Sequence, residues 1–355
     1  MNAKRKFLVS RGIRHLTCGF ISMFASGVAW AQTASDGIAR TQNPFHPHSS
    51  SAHLIQQLSF FTLAITGAIF AVVAGLWLYV VIKYRQHGSN EQMEEPPQIY
   101  GSTQIELAWT VIPILIVVVL FLTVARILFA LQDQPVPQNA LHVDVVGHQY
   151  WWEFRYPSYG FITANELHIP LGEPAGTVTT GLKLLSADVD HSFWVPSLYG
   201  KVDTVPNKEN DIVLDPTQTG VYEGQCAQFC GTAHAQMLLR VYVQTPEEFA
   251  AWAKRQQDTA IEDPAVAQGR QVFETQSCVS CHTIRGTAAH GRFGPDLTHL
   301  MSRDTIASGL ISNTPENLKR WIEDPEAIKP GALMPAMQLS GDQIDQMVTY
   351  LATLK

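Results

Sequence analysis

A chain of 355 residues that is 46% hydrophobic holds more than one core can use and points to two domains plus extra apolar segments. Its formal charge is -7, and setting aside the five cations Lys4, Arg5, Lys6, Arg11 and Arg14 leaves -12. An acidic remainder of this kind does not suggest a nucleic-acid role and suits a basic protein partner that approaches by electrostatic steering.

Residues 1–31 read as a secretory signal: those cations, an apolar run from about Leu16 to Val28, then Ala29-Trp30-Ala31 as an A-x-A cleavage site. Cys18 leaves with the signal. The stretch 32–133 follows as an N-terminal segment and a transmembrane hairpin. Leu54 to Ile82 and Leu107 to Ala125 carry no charge. They predict membrane-spanning helices over about 56–83 and 107–130, each long enough for a hydrocarbon core of about 30 Å. Lys83 and Arg85 close the first span, so the positive-inside rule puts the 83–106 loop in the cytoplasm and both outer ends on the exported side of a bacterial inner membrane. Pro113 falls in the first turns of the second span, where lost backbone bonding costs little.

Beyond Gln134-Pro135-Val136-Pro137 the pattern changes to short β-branched and aromatic runs between Gly, Pro and Asn turns. LHVDVVGHQYWWEFRY, ELHIP, TVTTGLKLLSADVDHSFWVPS, DIVLD, GVYEGQC and MLLRVYVQ are the expected strands of an antiparallel sandwich or barrel over 138–246. A helical linker over 247–263 then leads to a mostly helical domain at 264–355 with long loops. The fold class is thus multidomain: a two-helix membrane hairpin, an all-β sandwich and a C-terminal all-α domain.

The α domain carries QSCVSCHTIRG. Cys278 and Cys281, one helical turn apart, can add across the two vinyl groups of a haem and leave His282 beneath the iron as its proximal ligand. No second C-x-x-C or H-x-x-x-H completes a zinc site. GALMPAM supplies a sixth ligand, Met334 ahead of its neighbour Met337, and a Met/His pair raises the potential. With Gly269 and Phe273 before the motif, Gly294 to Leu297 after it and Tyr350-Leu351 closing the last helix, this segment resembles a small c-type cytochrome.

The β domain ends in CAQFCGTAHAQM, which sets Cys226, Cys230, His234 and Met237 in twelve consecutive residues. Soft thiolate and thioether ligands with imidazole exclude the hard-oxygen metals; a lone tetrahedral zinc rarely takes methionine, and an iron–sulfur cluster wants more thiolates. Copper remains. Two cysteines on one loop can bridge a copper pair if a second histidine arrives from elsewhere. His191, at a strand end in DVDHSFWVPSL, is that residue, while His148 and His168 read as hydrogen-bonded strand histidines.

Taken together, these residues resemble the binuclear CuA centre of cytochrome c oxidase subunit II. The resemblance extends to Gly101–Pro113, Gly147–Tyr156 and Lys201–Pro206. It implies a cupredoxin fold, bridging Cys226 and Cys230, terminal His191 and His234, and Met237 as weak axial ligand on one copper. The other axial ligand is then the backbone carbonyl of Gln228. Where the family has glutamate, whose carboxylate also helps to hold an interface magnesium, this chain has glutamine, so the magnesium role does not carry over. Tyr150, Trp151 and Trp152 form an aromatic run that reads equally as strand packing or as an electron-uptake surface, with Tyr150 where mitochondrial relatives have tryptophan.

The fused cytochrome segment implies a caa-type arrangement. Electrons from cytochrome c or a similar soluble donor reach the chain's own haem c, then the copper pair, then subunit I of a proton-translocating haem-copper oxidase, where O2 is reduced to water. Tethering holds the donor haem at high effective concentration beside the copper. A second reading is the copper-bearing electron-transfer subunit of a nitric oxide reductase complex.

Overall fold

The computed structural model describes residues 43–85, 98–132, 134–261 and 263–355. The signal segment and its cleavage site lie outside the described residues, as does part of the loop between the two spans. The two long helices are α1 (Ser50–Lys83) and α2 (Thr103–Gln132). At about 1.5 Å per residue they reach roughly 50 and 45 Å, longer than the apolar spans that the sequence marks. α1 starts early because Ser49 caps it, accepting from the Ala52 amide at 3.0 Å. α2 also starts early, so Pro113 lies about three turns into a continuous helix rather than at its first turns. Phe70, Leu76, Trp77, Leu115 and Phe121 are exposed around both helices, and only a bilayer suits helices apolar on every side.

The outer ends of the hairpin are tied to the β domain. The His48 amide donates to the Ser197 carbonyl at 2.7 Å, and Asp215 accepts from the Ser50 amide at 3.2 Å. Tyr199 Oη donates to the Leu131 carbonyl near the end of α2 at 3.1 Å. The hairpin therefore meets the sandwich at the start of α1 and the finish of α2.

Two five-stranded sheets make the sandwich. One has the order β3 (Phe161–Ala164), β2 (Trp151–Tyr156), β1 (Leu141–His148), β5 (Thr180–Ser186), β8 (Asn210–Leu214). The other runs β4 (Glu166–Pro170), β10 (Leu238–Gln244), β9 (Gly220–Cys226), β6 (His191–Trp194), β7 (Val202–Thr204). Alternate residues fill the space between them: Leu182 and Leu184, Leu167 and Ile169, Leu239, Val241 and Val243 are all at most 2% exposed.

The structure departs from the sequence reading in four further respects. The run TVTTGLKLLSADVDHSFWVPS is two strands in different sheets, β5 and β6, so His191 opens a strand instead of closing one. The run LHVDVVGHQYWWEFRY is a hairpin, β1 folding back on β2 with His148 opposite Trp151, and not one strand. The sandwich is not wholly antiparallel, since β1 pairs with β5 and β4 with β10 in parallel; crossovers between the sheets produce parallel neighbours that local alternation does not encode. Finally, the helix after β10, α3 (Pro246–Gln256), is part of the β core and not a spacer. Its Trp252 is stacked 4.0 Å from the His168 ring and meets Tyr156 and Phe161 edge-on.

The C-terminal domain packs α4 (Ala267–Thr275) across α8 (Gly341–Leu351), with the single-turn α5 (Cys278–Cys281), α6 (Pro315–Glu323) and α7 (Pro325–Ile328) around them. Gly269 lets the two long helices cross, because any Cβ there would strike the Gln346 carbonyl. Phe273 and Tyr350 meet at 6.2 Å beside it.

Candidate copper and haem sites

Strand register brings the first site together. Phe193 of β6 pairs with Cys226 of β9, which sets His191 two residues from the thiol's partner. The Cys226 amide donates to the Met237 carbonyl at 2.9 Å and closes the β9–β10 loop, so Cys230, His234 and Met237 return over the strand end. Cys226 Sγ lies 3.9 Å from His191 Nδ1, 4.0 Å from Cys230 Sγ and 3.2 Å from the Gln228 carbonyl. Cys230 Sγ in turn lies 3.7 Å from His234 Nδ1 and 3.9 Å from Met237 Sδ. Both cysteines are free thiols, buried to 4% exposure.

These separations lie within about 0.2 Å of the edges of coordination polyhedra. Ligands at about 2.0–2.3 Å from one tetrahedral ion stand roughly 3.3–3.8 Å apart. Each thiol has its own imidazole, and a thioether and a carbonyl complete the set, which fits two soft metal ions better than one. A hydrogen bond fixes the orientation of His191. The Asp188 carboxylate can only accept, so Nε2–H donates to it at 2.8 Å and the Nδ1 lone pair faces Cys226. Burial works against a charged ring there, but Asp188 and then Cys226 raise the His191 pKa. Between the two thiols, the contact with Cys230 and then His191 holds Cys226 below the ordinary thiol range, while Cys230 is pushed up by Cys226 and by burial.

Two glycines make room for this corner. A Cβ on Gly147 of β1 would stand 2.7 Å from His191 Cδ2. Gly231, at φ +132, faces the Tyr150 hydroxyl so closely that no side chain fits. Trp152, fully buried, meets the His191 ring at 6.0 Å and the Phe193 ring at 5.7 Å. Phe229 packs on the His234 ring at 5.8 Å and is 75% exposed.

The other candidate histidines are placed elsewhere. His168 is sandwiched between Tyr242 and Trp252, its Nδ1 3.1 Å from Gln244 Oε1, and burial lowers its pKa to about 4. His148 stacks on Trp151 at 4.4 Å with Nε2 3.4 Å from Glu153. Neither joins the thiols.

The second site is an apolar cavity of about 1430 Å3 with its open mouth included. Cys278, Cys281 and His282 line it, as do Met334 and Met337. Met334 also packs on the surrounding apolar core. His282 Nδ1–H donates to the Pro295 carbonyl at 2.8 Å, which leaves Nε2 as the free ligand nitrogen. Gly294 lets the ring lie there, since a Cβ would come within 2.7 Å of its Cε1. An apolar slot lined by two free thiols, an aimed imidazole and two thioethers fits a haem.

The cavity is not built by the α domain alone. Gln149, Tyr150, Trp151 and Asn165 of the β sandwich form part of its lining. The Tyr150 hydroxyl accepts from the Thr232 amide at 3.1 Å, and Gln149 Nε2 donates to the Cys230 carbonyl at 2.5 Å. One corner of the β1–β2 hairpin therefore touches both sites, whereas Trp152 faces only the copper side. Asp188 and Gln149 escaped the sequence reading. The aspartate three residues before a candidate ligand was a signal for the first, but Asp190 competed with it; nothing local marked the second.

Comparisons with known proteins agree with this construction. The profile of the cytochrome c oxidase subunit II transmembrane domain matches residues 40–127, that of its periplasmic domain residues 174–244, and that of cytochrome c residues 266–355. Cytochrome c oxidase subunit 2 of Alkalihalophilus pseudofirmus is 34% identical over 352 residues, 96% of this chain and 97% of that one. The Bacillus sp. PS3 protein of the same name is 35% identical over 285 residues, 75% of this chain and 78% of its own length. The crystal structure of the periplasmic domain of subunit II of cytochrome oxidase from Bradyrhizobium japonicum is 27% identical, with a TM-score of 0.32, over 35% of this chain and 97% of that one. On the full-length likeness and the three profiles, this chain belongs to the cytochrome c oxidase subunit 2 family, in a membrane-anchored form with a fused cytochrome c domain.

Proposed function

We propose that this chain is the electron-accepting subunit of a haem-copper oxidase in a bacterial inner membrane, with its β and α domains on the outer side. When bound, a copper pair and a covalently attached haem c supply one-electron storage and transfer. The protein's part is to hold them. Cys278 and Cys281 would anchor the haem, with His282 and Met334 as its further protein ligands, and Cys226, Cys230, His191, His234, Met237 and the Gln228 carbonyl would hold the coppers.

An electron from cytochrome c or a similar donor is taken up on the α domain. It crosses the Gln149–Trp151 corner to the Cys226–Cys230 loop and leaves for subunit I, where O2 is reduced. The observation that carries this reading is the single cavity bounded by the C-x-x-C-H motif on one side and, on the other, by two residues bonded to the copper loop. Tyr150 and Trp151 take the electron-uptake role toward the chain's own haem, and Trp152 supports His191 by packing. Phe229, exposed beside His234, offers an apolar contact for another oxidase subunit. Gln228 has no carboxylate to give an interface magnesium, and no feature of the chain favours nitric oxide over O2 as the final acceptor.

The test is metal analysis with electron paramagnetic resonance and optical spectra of the purified chain. The reading expects a mixed-valence copper pair and a low-spin c haem; a mononuclear copper, or zinc, overturns it.

A further inference from the structure

The segment Asp304–Gly309 is strained and inserted. Ala307 and Ser308 both have positive φ, +54 and +61, and Gly309 follows at +83. A left-handed conformation costs a non-glycine residue free energy and persists only where its surroundings enforce it. Here the surroundings belong to the copper domain. Glu166 of β4, 2% exposed, accepts from the Asp304 amide at 3.1 Å, the Thr305 amide at 2.9 Å and the Thr305 hydroxyl at 2.8 Å. Tyr242 of β10 donates to Asp304 Oδ2 at 2.6 Å, and Gly309 sits against Leu238. Ser308 Oγ donates to the Tyr150 carbonyl at 2.8 Å.

Lys329 adds a second point of attachment from another part of the α domain. Its ammonium, on a side chain 4% exposed, donates to the same Tyr150 carbonyl at 2.6 Å and to Ser308 Oγ at 2.8 Å. A carboxyl group and a lysine amine buried at a contact between two domains need these partners, because a polar group left unpaired there is costly. The wedge also lines the haem cavity through Thr305 to Ser308, so the residues that grip the copper domain are the ones that border the cofactor.

We propose that Glu166, Lys329 and the Asp304–Gly309 wedge form a latch that holds the cytochrome domain permanently docked on the Gln149–Trp151 corner, so that internal transfer crosses a fixed interface and needs no domain excursion. The inference rests on the function proposed above. The step it governs is the loss of one electron by the haem iron and its gain by the oxidised copper pair, with no bond made or broken. The latch residues are positioning residues: they touch neither metal ligand set through a hydrogen bond and act through Tyr150 and the wedge.

The test uses the holoenzyme complex and follows internal haem-to-copper electron transfer after rapid photoreduction, as a function of glycerol viscosity, together with amide exchange across the wedge. A latched interface gives a wild-type rate independent of viscosity and a Thr305 amide as protected as the sandwich strands. Glu166→Ala should leave the copper and haem spectra unchanged, release the Thr305 amide, slow transfer about tenfold and make it viscosity-dependent, the loss expected when buried hydrogen bonds to a charged group go. Tyr242→Phe, a milder variant, should show the same trend at smaller size. A wild-type rate that falls in proportion to viscosity overturns the latch, as does a folded Glu166→Ala protein with unchanged protection and rate. Either result would leave the proposed function standing if both metal spectra are intact; missing copper or haem signals would instead sink that function.

Discussion

The copper corner and the haem cavity solve the same problem, holding a redox centre, in opposite ways. Around Cys226 every ligand atom already lies within 4.0 Å of its neighbour, and the ligands come from two paired strand ends and one loop. Around His282 the candidate ligands line an open slot, and its walls come from two domains. An ion needs only donors at van der Waals distance, which register and a short loop provide. A cofactor the size of a haem needs a void, and apolar side chains close a void unless the surrounding elements hold it open. The copper site should therefore be sensitive to single ligand changes, and the haem site to changes in its walls and in the docking of the domains.

The largest effect is expected from Cys226→Ser. It removes the thiolate that touches His191, Cys230 and the Gln228 carbonyl, so the mixed-valence resonance should vanish and copper content fall, while the haem spectrum persists. Loss of both centres together would break the distinction between the sites. Next comes Met334→Leu, which should abolish the low-spin Met/His haem spectrum and leave the copper resonance untouched. Met337→Leu should do neither, although both methionines line the cavity. The reverse outcome would reassign the sixth ligand.

That contrast also governs how much the sequence discloses. Cys226, Cys230, His234 and Met237 are legible because their spacing is fixed within one loop, and Cys278, Cys281 and His282 because their chemistry demands adjacency. His191 could be found by strand-end position, yet its approach depends on the Phe193–Cys226 register, which no local pattern records. The hairpin at Gln149 was read as unbroken strand because apolar and aromatic residues continue across it. The parallel pairs, the burial of Trp252 and the bonds from Glu166 to Thr305 arise from long-range packing, where sequence separation says nothing about contact.

A smaller effect, still confined to the copper corner, is predicted for Asp188→Asn. An amide in place of the carboxylate weakens the hold on His191 Nε2, and losing such a partner typically lowers metal affinity about 10–100-fold. Competition with a copper chelator measures it. Gly147→Ala should disturb the same ring from its other side. The added methyl needs a shift of His191, at a cost of about 1–3 kcal/mol for overpacking, read as a lowered Tm and an altered copper hyperfine pattern.

The last effect, a pH dependence, concerns the docking of the two domains and sets the haem cavity apart again. Burial pushes Glu166 up to about 7, with the Thr305 hydrogen bond opposing and the Asp304 charge adding to the rise. Its folded pKa thus exceeds its ordinary value of 4.5. A group raised on folding contributes stability that is complete below the ordinary value and is lost as pH rises through the folded one. Between pH 4.5 and 7 the full chain in detergent should therefore lose on the order of 3 kcal/mol through this residue, at about 1.36 kcal/mol per pH unit. Glu166→Gln removes the titration, so its Tm should fall less steeply across that interval than the wild type's even if it starts lower. Parallel curves would mean that the wedge holds Glu166 ionised throughout, with the donors of Asp304 and Thr305 outweighing burial.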